Sequence, residues 1–192
     1  IVVTGTLISR PDYVAESPVA TIGSEQISSV GQPSLDVAIG QMPQFAAAQG
    51  AAEVGDAQTN IGFSGGQSNA DLRGLGINRS LVLMDGKRLM PSSPDGSIDL
   101  NSIPKILLKS VETVTGGASA TYGSEAIAGV VNFRLNRRFS GLELDYQYGI
   151  TTGGDGEKHS IGMLAGGDFA DDRGHALFAF EYAKRDTVVG AD

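Results

Sequence analysis

Toward its C-terminal end the chain alternates apolar and polar residues one by one. Leu142, Leu144, Tyr146, Tyr148 and Ile150 are separated by Glu143, Asp145, Gln147 and Gly149, which is the period of a strand with one apolar and one wet face. A glycine-rich turn over Thr151 to Lys158 leads to a weaker second strand, Ser160 to Gly167. A polar turn over Phe169 to Gly174 leads to a third strand, His175 to Arg185, in which Phe178, Phe180 and Tyr182 share a face. Membrane barrels and soluble antiparallel sheets both repeat segments of about ten residues in this way, so the alternation alone does not choose between them.

Upstream the periods are mixed. Val19 to Ile22 predicts a strand, and Ser24 is placed to cap a short helix with Glu25 in its first turn, ending at Gly31. A second helix starts near Ser34, with Leu35, Ala38, Ile39 and Met42 on one face, and Pro43 stops it. From Phe45 to Asn69 periodicity gives way to Ala, Gly, Gln, Ser and Asn, a long loop of the kind that usually carries function. Asp71 to Gly76 reads as a short strand closed by glycine. Ser80 to Met90 reads as a hairpin about Asp85-Gly86, because that turn requires positive φ at both centres. Ile98 to Lys109 is a link with Pro104 at the head of a short helix. Val111 to Thr115 and Val130 to Leu135 are then two strands folded over a compact hinge: a Gly116-Gly117 turn, a helical turn from Ala118 to Tyr122, a break at Gly123 and a small-residue turn from Ser124 to Ala128.

Composition narrows the chemistry. A net charge of −8 over 192 residues, with no basic stripe, argues against a nucleic-acid partner. The absence of Cys rules out disulfides, thiolate metal sites and cysteine nucleophiles within this sequence. No apolar run approaches the ~20 residues of a membrane helix. Without a leader or an initiating Met, the sequence reads as a processed or excised piece. Gly62-Phe63-Ser64-Gly65-Gly66 has the spacing of a nucleophile elbow but lacks the hydrophobic strand before it and the helix after it. His159 and His175 stand apart in strand-like contexts where imidazoles usually face solvent. The expectation is therefore no catalytic residue, no metal and no cofactor.

The hinge run Gly116-Gly117-Ala118-Ser119-Ala120-Thr121-Tyr122-Gly123, continued by Ser124-Glu125-Ala126-Ile127-Ala128-Gly129-Val130-Val131-Asn132, resembles a signature of the plug domain of TonB-dependent outer-membrane transporters. Leu72-Arg73-Gly74-Leu75-Gly76 with Val82-Leu83-Met84-Asp85-Gly86 resembles the same family's second signature, in order and at the right spacing. The resemblance implies an α+β plug domain, a small mixed sheet with short helices, followed by antiparallel β-strands of a transmembrane β-barrel. Three strands cannot close, since free edges in lipid leave backbone groups unpaired, and the resemblance implies a much larger plugged barrel of about 22 strands. The implied divisions are 1–17, a TonB box and linker; 18–138, the plug; and 139–192, the first barrel strands.

What the resemblance implies for function is a gate. Ile1, Val2, Val3 and Thr4 resemble the TonB box, a segment that adds as a strand to TonB, which works with the ExbB/ExbD energy complex; a frayed terminal strand is the plain alternative reading of the same residues. Arg73, Arg79, Glu112 and Glu125 are expected at plug–barrel contacts. Lys109 and Ser110 stand where the family commonly carries an acidic residue and an Arg, which removes that pairing here. The apical loops are expected at Ala57 to Asn69 and Met90 to Ser97, with Arg88, Ser92, Ser93 and Asp95 beside an extracellular small ligand. Outer-membrane lipid is the expected partner of the barrel part. A ferric siderophore is the first expectation for the ligand, with cobalamin, saccharide or peptide as alternatives, and a periplasmic binding module that transports nothing is the reading from another class.

Overall fold

Glycine breaks and period-2 runs divide this chain into a mixed sheet and a separate antiparallel sheet, shown by a computed structural model that describes residues 19–29, 35–40, 42–45, 67–94, 96–116, 118–150, 157–171 and 173–185. The first sheet has five strands: β1 (Val19–Gly23), β2 (Ser80–Met84), β3 (Lys87–Arg88), β4 (Leu108–Thr115) and β5 (Gly129–Leu135), in the order β1-β4-β5-β2-β3. The hinge folds β4 and β5 antiparallel with Val111 opposite Phe133, whereas β2 lies parallel to β5 with Val82 opposite Val131.

Alternation along the central strands sends side chains into two separate cores. Val82, Val111, Val131 and Phe133 face α1 (Ser24–Ser29), α2 (Leu35–Gly40) and the 3₁₀ turns, where Leu35, Ala38, Ile39 and Met42 are buried as their helical spacing predicts. Leu81, Leu83, Val114 and Val130 face the hinge, packing on Ala118 and Ala126. Phe45, the first residue of the expected long loop, is a core residue in a 3₁₀ turn.

Several expectations need correction. Asp71 to Gly76 is not a strand but a 3₁₀ turn at Leu72–Gly74, because Arg73, Gly74 and Gly76 all take positive φ and cannot extend a ladder. Asp71 Oδ1 accepts from Gly76 N–H, and Leu75 is exposed, so the apparent apolar alternation has one buried member, Leu72. The hairpin about Asp85-Gly86 forms with both centres at positive φ, but its second strand stops after Arg88. β4 starts at Leu108, with an irregularity between Leu108 and Ser110. Ser24 lies inside α1 rather than capping it; the Gln26 side chain accepts from Gly23 N–H at that end.

β6 (Gly141–Gly149), β7 (Lys158–Phe169) and β8 (Gly174–Arg185) form the second sheet, antiparallel throughout. Register lines up Leu142 with Ala165 and Phe178, Leu144 with Met163 and Phe180, and Tyr146 with Ile161 and Tyr182. This face is turned away from the first sheet and exposed, Leu144 at 70%. The opposite face carries Asp145, Gln147, buried Ser160, Gly162 and Leu164, and Glu181, and meets the 3₁₀ turn Lys105–Leu107. Among the described residues no helix is long and apolar enough to cross a membrane.

Candidate functional site

The hinge is built around glycines with no substitute. At Gly129, φ is +144° and a Cβ would lie 2.2 Å from the Val114 carbonyl oxygen and 2.9 Å from Leu72 Cδ1, so β5 can pass this close only without a side chain. Gly123, at φ +91°, ends α3 (Ser119–Tyr122) and starts the 3₁₀ turn Ser124–Ala126. Arg88 on the edge strand reaches this break: its guanidinium donates to the Tyr122 carbonyl and pairs with Glu125. Two residues expected in different roles, one near ligand and one at the barrel, thus meet each other. Both are half exposed, so the pair is screened and contributes little stability. Beside it lies a hollow of about 210 Å³, lined among others by Asn69, Asn78, Ser80, Arg88, Gly96 and Glu125.

Asn132, at the end of the signature, is buried at 2% exposure, and both ends of its amide are hydrogen-bonded. Its Oδ1 accepts from Gly86 N–H at 2.9 Å, and its Nδ2 donates to Glu112 at 3.3 Å. The Asp85 carboxylate accepts from Leu135 N–H and pairs with Arg137. The two signatures are therefore stitched together at the hairpin turn.

Ser93, expected beside ligand, is buried at 8% and holds the loop: its hydroxyl donates to Gln67 Oε1 at 3.0 Å and shares a hydrogen bond with Ser97. Ser92 Oγ accepts from Asp99 N–H. Arg73 and Arg79 are exposed, with Arg79 donating to the Leu75 carbonyl; Glu112 lies 3.8 Å from Arg134 within the sheet. Lys109 is exposed on β4, while Ser110 pairs with Gly23. Asp95, Ile1 to Thr4, Ser64 and most of the loop before Asn69 lie outside the described residues.

The contact between the two sheets centres on a residue that sequence reasoning passed over. Lys105 N–H donates to Glu181 Oε2 at 2.7 Å, and its Nζ donates to Gln147 Oε1 at 2.8 Å. Burial lowers its pKa from the ordinary 10.5, against the opposing pull of Asp145 and Glu181. Next to it Ile106 sits over Gly162, where a Cβ would lie 2.9 Å from Ile106 Cδ1. Asn136 N–H, at the exit of β5, donates to the Leu107 carbonyl. The one sequence signal was a lysine between Pro104 and the apolar run Ile106-Leu107-Leu108.

Of the two histidines, His175 departs from the solvent-facing expectation, whereas His159 keeps 38% of its side chain exposed. His175 is mostly buried, with Nδ1 2.8 Å from Asp168 Oδ1, and His159 packs on the Tyr148 ring at 4.9 Å between centroids. Among the described residues no three His, Cys, Asp or Glu side chains converge as metal ligands.

A small mixed sheet, a glycine-cut hinge pinned to its hairpin and a following antiparallel sheet together define a class, and the family model for the TonB-dependent receptor plug domain matches residues 13–130. That is more than half of the chain, which therefore belongs to the TonB-dependent receptor plug domain family. This is a family of outer-membrane receptors and transporters, not of enzymes. Among solved structures, the chain is similar to a mutant ferric enterobactin receptor PfeA from Pseudomonas aeruginosa in complex with enterobactin, at 22% identity and TM-score 0.65, over 88% of this chain and 25% of that one. It is also similar to the siderophore receptor PirA from Pseudomonas aeruginosa, at 22% identity and TM-score 0.62, over 91% of this chain and 30% of that one. PirA from Acinetobacter baumannii matches at 23% identity and TM-score 0.64, over 87% and 24%. The chain thus spans less than a third of the length of each, and at this identity the likeness carries the fold: a plug leading into antiparallel barrel strands.

Proposed function

We propose that this chain is the gate and opening wall of an outer-membrane transporter, with the plug at 18–138, the first strands at 139–192 and a TonB box and linker at 1–17. The observation that carries the reading is the two-sidedness of β6–β8. Their face toward the plug carries Glu143, Asp145, Gln147 and Glu181 around a small buried apolar centre at Leu164, while the outward face is a continuous apolar band with Tyr146 and Tyr182 at one end. A soluble sheet would bury that band against something; lipid is the solvent that leaves it bare. The plug then occludes the lumen, and the segment containing Ile1, Val2, Val3 and Thr4 passes to TonB by strand addition.

The ligand class that the similar solved structures favour is a ferric siderophore, since PfeA is a ferric enterobactin receptor solved in complex with enterobactin and PirA is a siderophore receptor. Arg88, beside the hollow and held by a screened pair with Glu125 and one hydrogen bond to the Tyr122 carbonyl, is the side chain best placed to meet an anionic chelate. A ligand can release the box only by binding the released state better than the docked one. The test is uptake of ferric enterobactin by cells producing the full-length receptor as their sole siderophore receptor, with and without TonB. TonB-dependent accumulation supports the reading. Binding without accumulation in TonB-positive cells would reject energy coupling, and no binding would reject ferric enterobactin as the ligand.

A further inference from the structure

We propose that the 3₁₀ turn Lys105–Leu107 is the seat that holds the plug on the barrel wall, keyed by Ile106 into a notch at Gly162 and by Glu181 onto the Lys105 amide; this rests on reading β6–β8 as that wall. The notch exists because β7 carries glycine where its neighbours on the same face carry Ser160 and Leu164, both buried. A side chain at 162 would occupy the space that Ile106 fills, its Cβ 2.9 Å from Ile106 Cδ1 and 3.5 Å from Ile106 Cβ. Register places Asp145 and Glu181 on either side of Gly162, so the turn is gripped by β6 and β8 while its apolar tip enters β7.

Specificity comes from direction as well as shape. The Glu181 carboxylate takes a backbone N–H at 2.7 Å, a bond that no change of the Lys105 side chain removes, and Gln147 fixes the lysine at 2.8 Å. On the plug side, Asn136 N–H closes the Leu107 carbonyl, tying the seat to the end of β5. A notch, a carboxylate and an amide on three adjacent strands receive the turn and set one register of plug against wall, as a buried apolar anchor ringed by polar contacts does at other interfaces.

The test uses the full-length receptor in planar bilayers, reading the urea concentration at which ionic conductance appears as the plug leaves its seat. Gly162→Val, a substitution that suits a strand but fills the notch, should lower that concentration by about 0.5–1 M. Adding Ile106→Ala should restore it, which a merely weakened strand would not allow. Ile106→Cys with Gly162→Cys places the two Cβ atoms at a separation of 3.5 Å, at the short edge of disulfide geometry, and this sequence has no other cysteine. The oxidised pair should stay closed in urea that opens the wild type, and reductant should reverse this. An unchanged onset in Gly162→Val, no rescue by Ile106→Ala, or opening of the oxidised pair with the wild type would overturn the seat. A wild type that never conducts, even after the plug sheet has melted, would overturn the gate reading and the seat with it.

Discussion

Asn132 and Gly86, 46 residues apart, are joined by a 2.9 Å hydrogen bond from the turn's N–H to the buried amide oxygen, and the other end of that amide donates to Glu112. One side chain therefore fixes the hairpin turn against β5 and orients a carboxylate on β4. Asn132→Leu keeps the branched heavy-atom skeleton of the side chain but leaves a turn N–H without its acceptor in a part-buried place. The expected loss is about 1–3 kcal/mol, read as a lower urea midpoint of the plug. A midpoint equal to wild type would mean that water replaces the amide.

Two glycines at positive φ should answer substitution in opposite ways. At Gly129 a methyl group meets the Val114 carbonyl oxygen at 2.2 Å, and backbone cannot yield as a side chain would. Gly129→Ala is expected to cost more than about 3 kcal/mol and to lower the amount of folded receptor in the membrane. At Gly86, φ is +76° and nothing lies within 4 Å of the added carbon. Gly86→Asn, a residue that tolerates the left-handed region, should cost below about 1 kcal/mol. Comparable folded yields for the two variants would contradict the close approach at Gly129.

Local chemistry explains which parts of this fold could be read from sequence. β6–β8 were legible because a two-sided strand writes its period directly into the chain. The hinge was legible because positive φ at Gly123 and Gly129 demands glycine, and the apolar face of α2 followed from its spacing. Leu72–Gly74 misled because Leu72 and Leu75 imitate an apolar rhythm while Arg73 takes a left-handed conformation that its own chemistry does not announce. The burial of Ser93 was not legible because a hydroxyl in a Ser- and Pro-rich loop looks external, while its partners Gln67 and Ser97 close around it. The role of Lys105 could not be read at all. It depends on Gln147, Asp145 and Glu181 arriving from strands 40 to 76 residues downstream, and nothing near Pro104 encodes their register.

The outward band of β6–β8 makes the membrane reading quantitative. Leu144 and Phe180 lie in one cross-strand row, both exposed. An arginine there would have to be held in hydrocarbon, so Leu144→Arg or Phe180→Arg is expected to cost about 2–4 kcal/mol in vesicle-folding measurements on the full-length barrel. Tyr182→Arg, one row nearer the end that carries His159 and Lys184, should cost less because the charge can reach the headgroups. Equal, small costs at all three positions would mean that this face meets water.

Lys105 gives the seat a pH dependence whose sign can be worked out. Docking buries the ammonium, and this desolvation outweighs the pull of Asp145 and Glu181, so the docked pKa lies below the ordinary 10.5 of the released turn. Well below the docked value both states hold the proton, and the full cost of burying the charge weakens the seat. As pH rises through the window between the docked pKa and 10.5, the docked state releases its proton first, and the cost is relieved. The seat should therefore tighten on the alkaline side. Measured as the urea concentration at which conductance appears, the wild type should rise with pH in this window relative to Lys105→Met, in which no proton can be lost at this position. Parallel curves for the two proteins would show that the amine is hydrated in the docked state. A fall in the wild type relative to the variant would show that its attraction to the wall carboxylates exceeds its desolvation, reversing the order of the two effects.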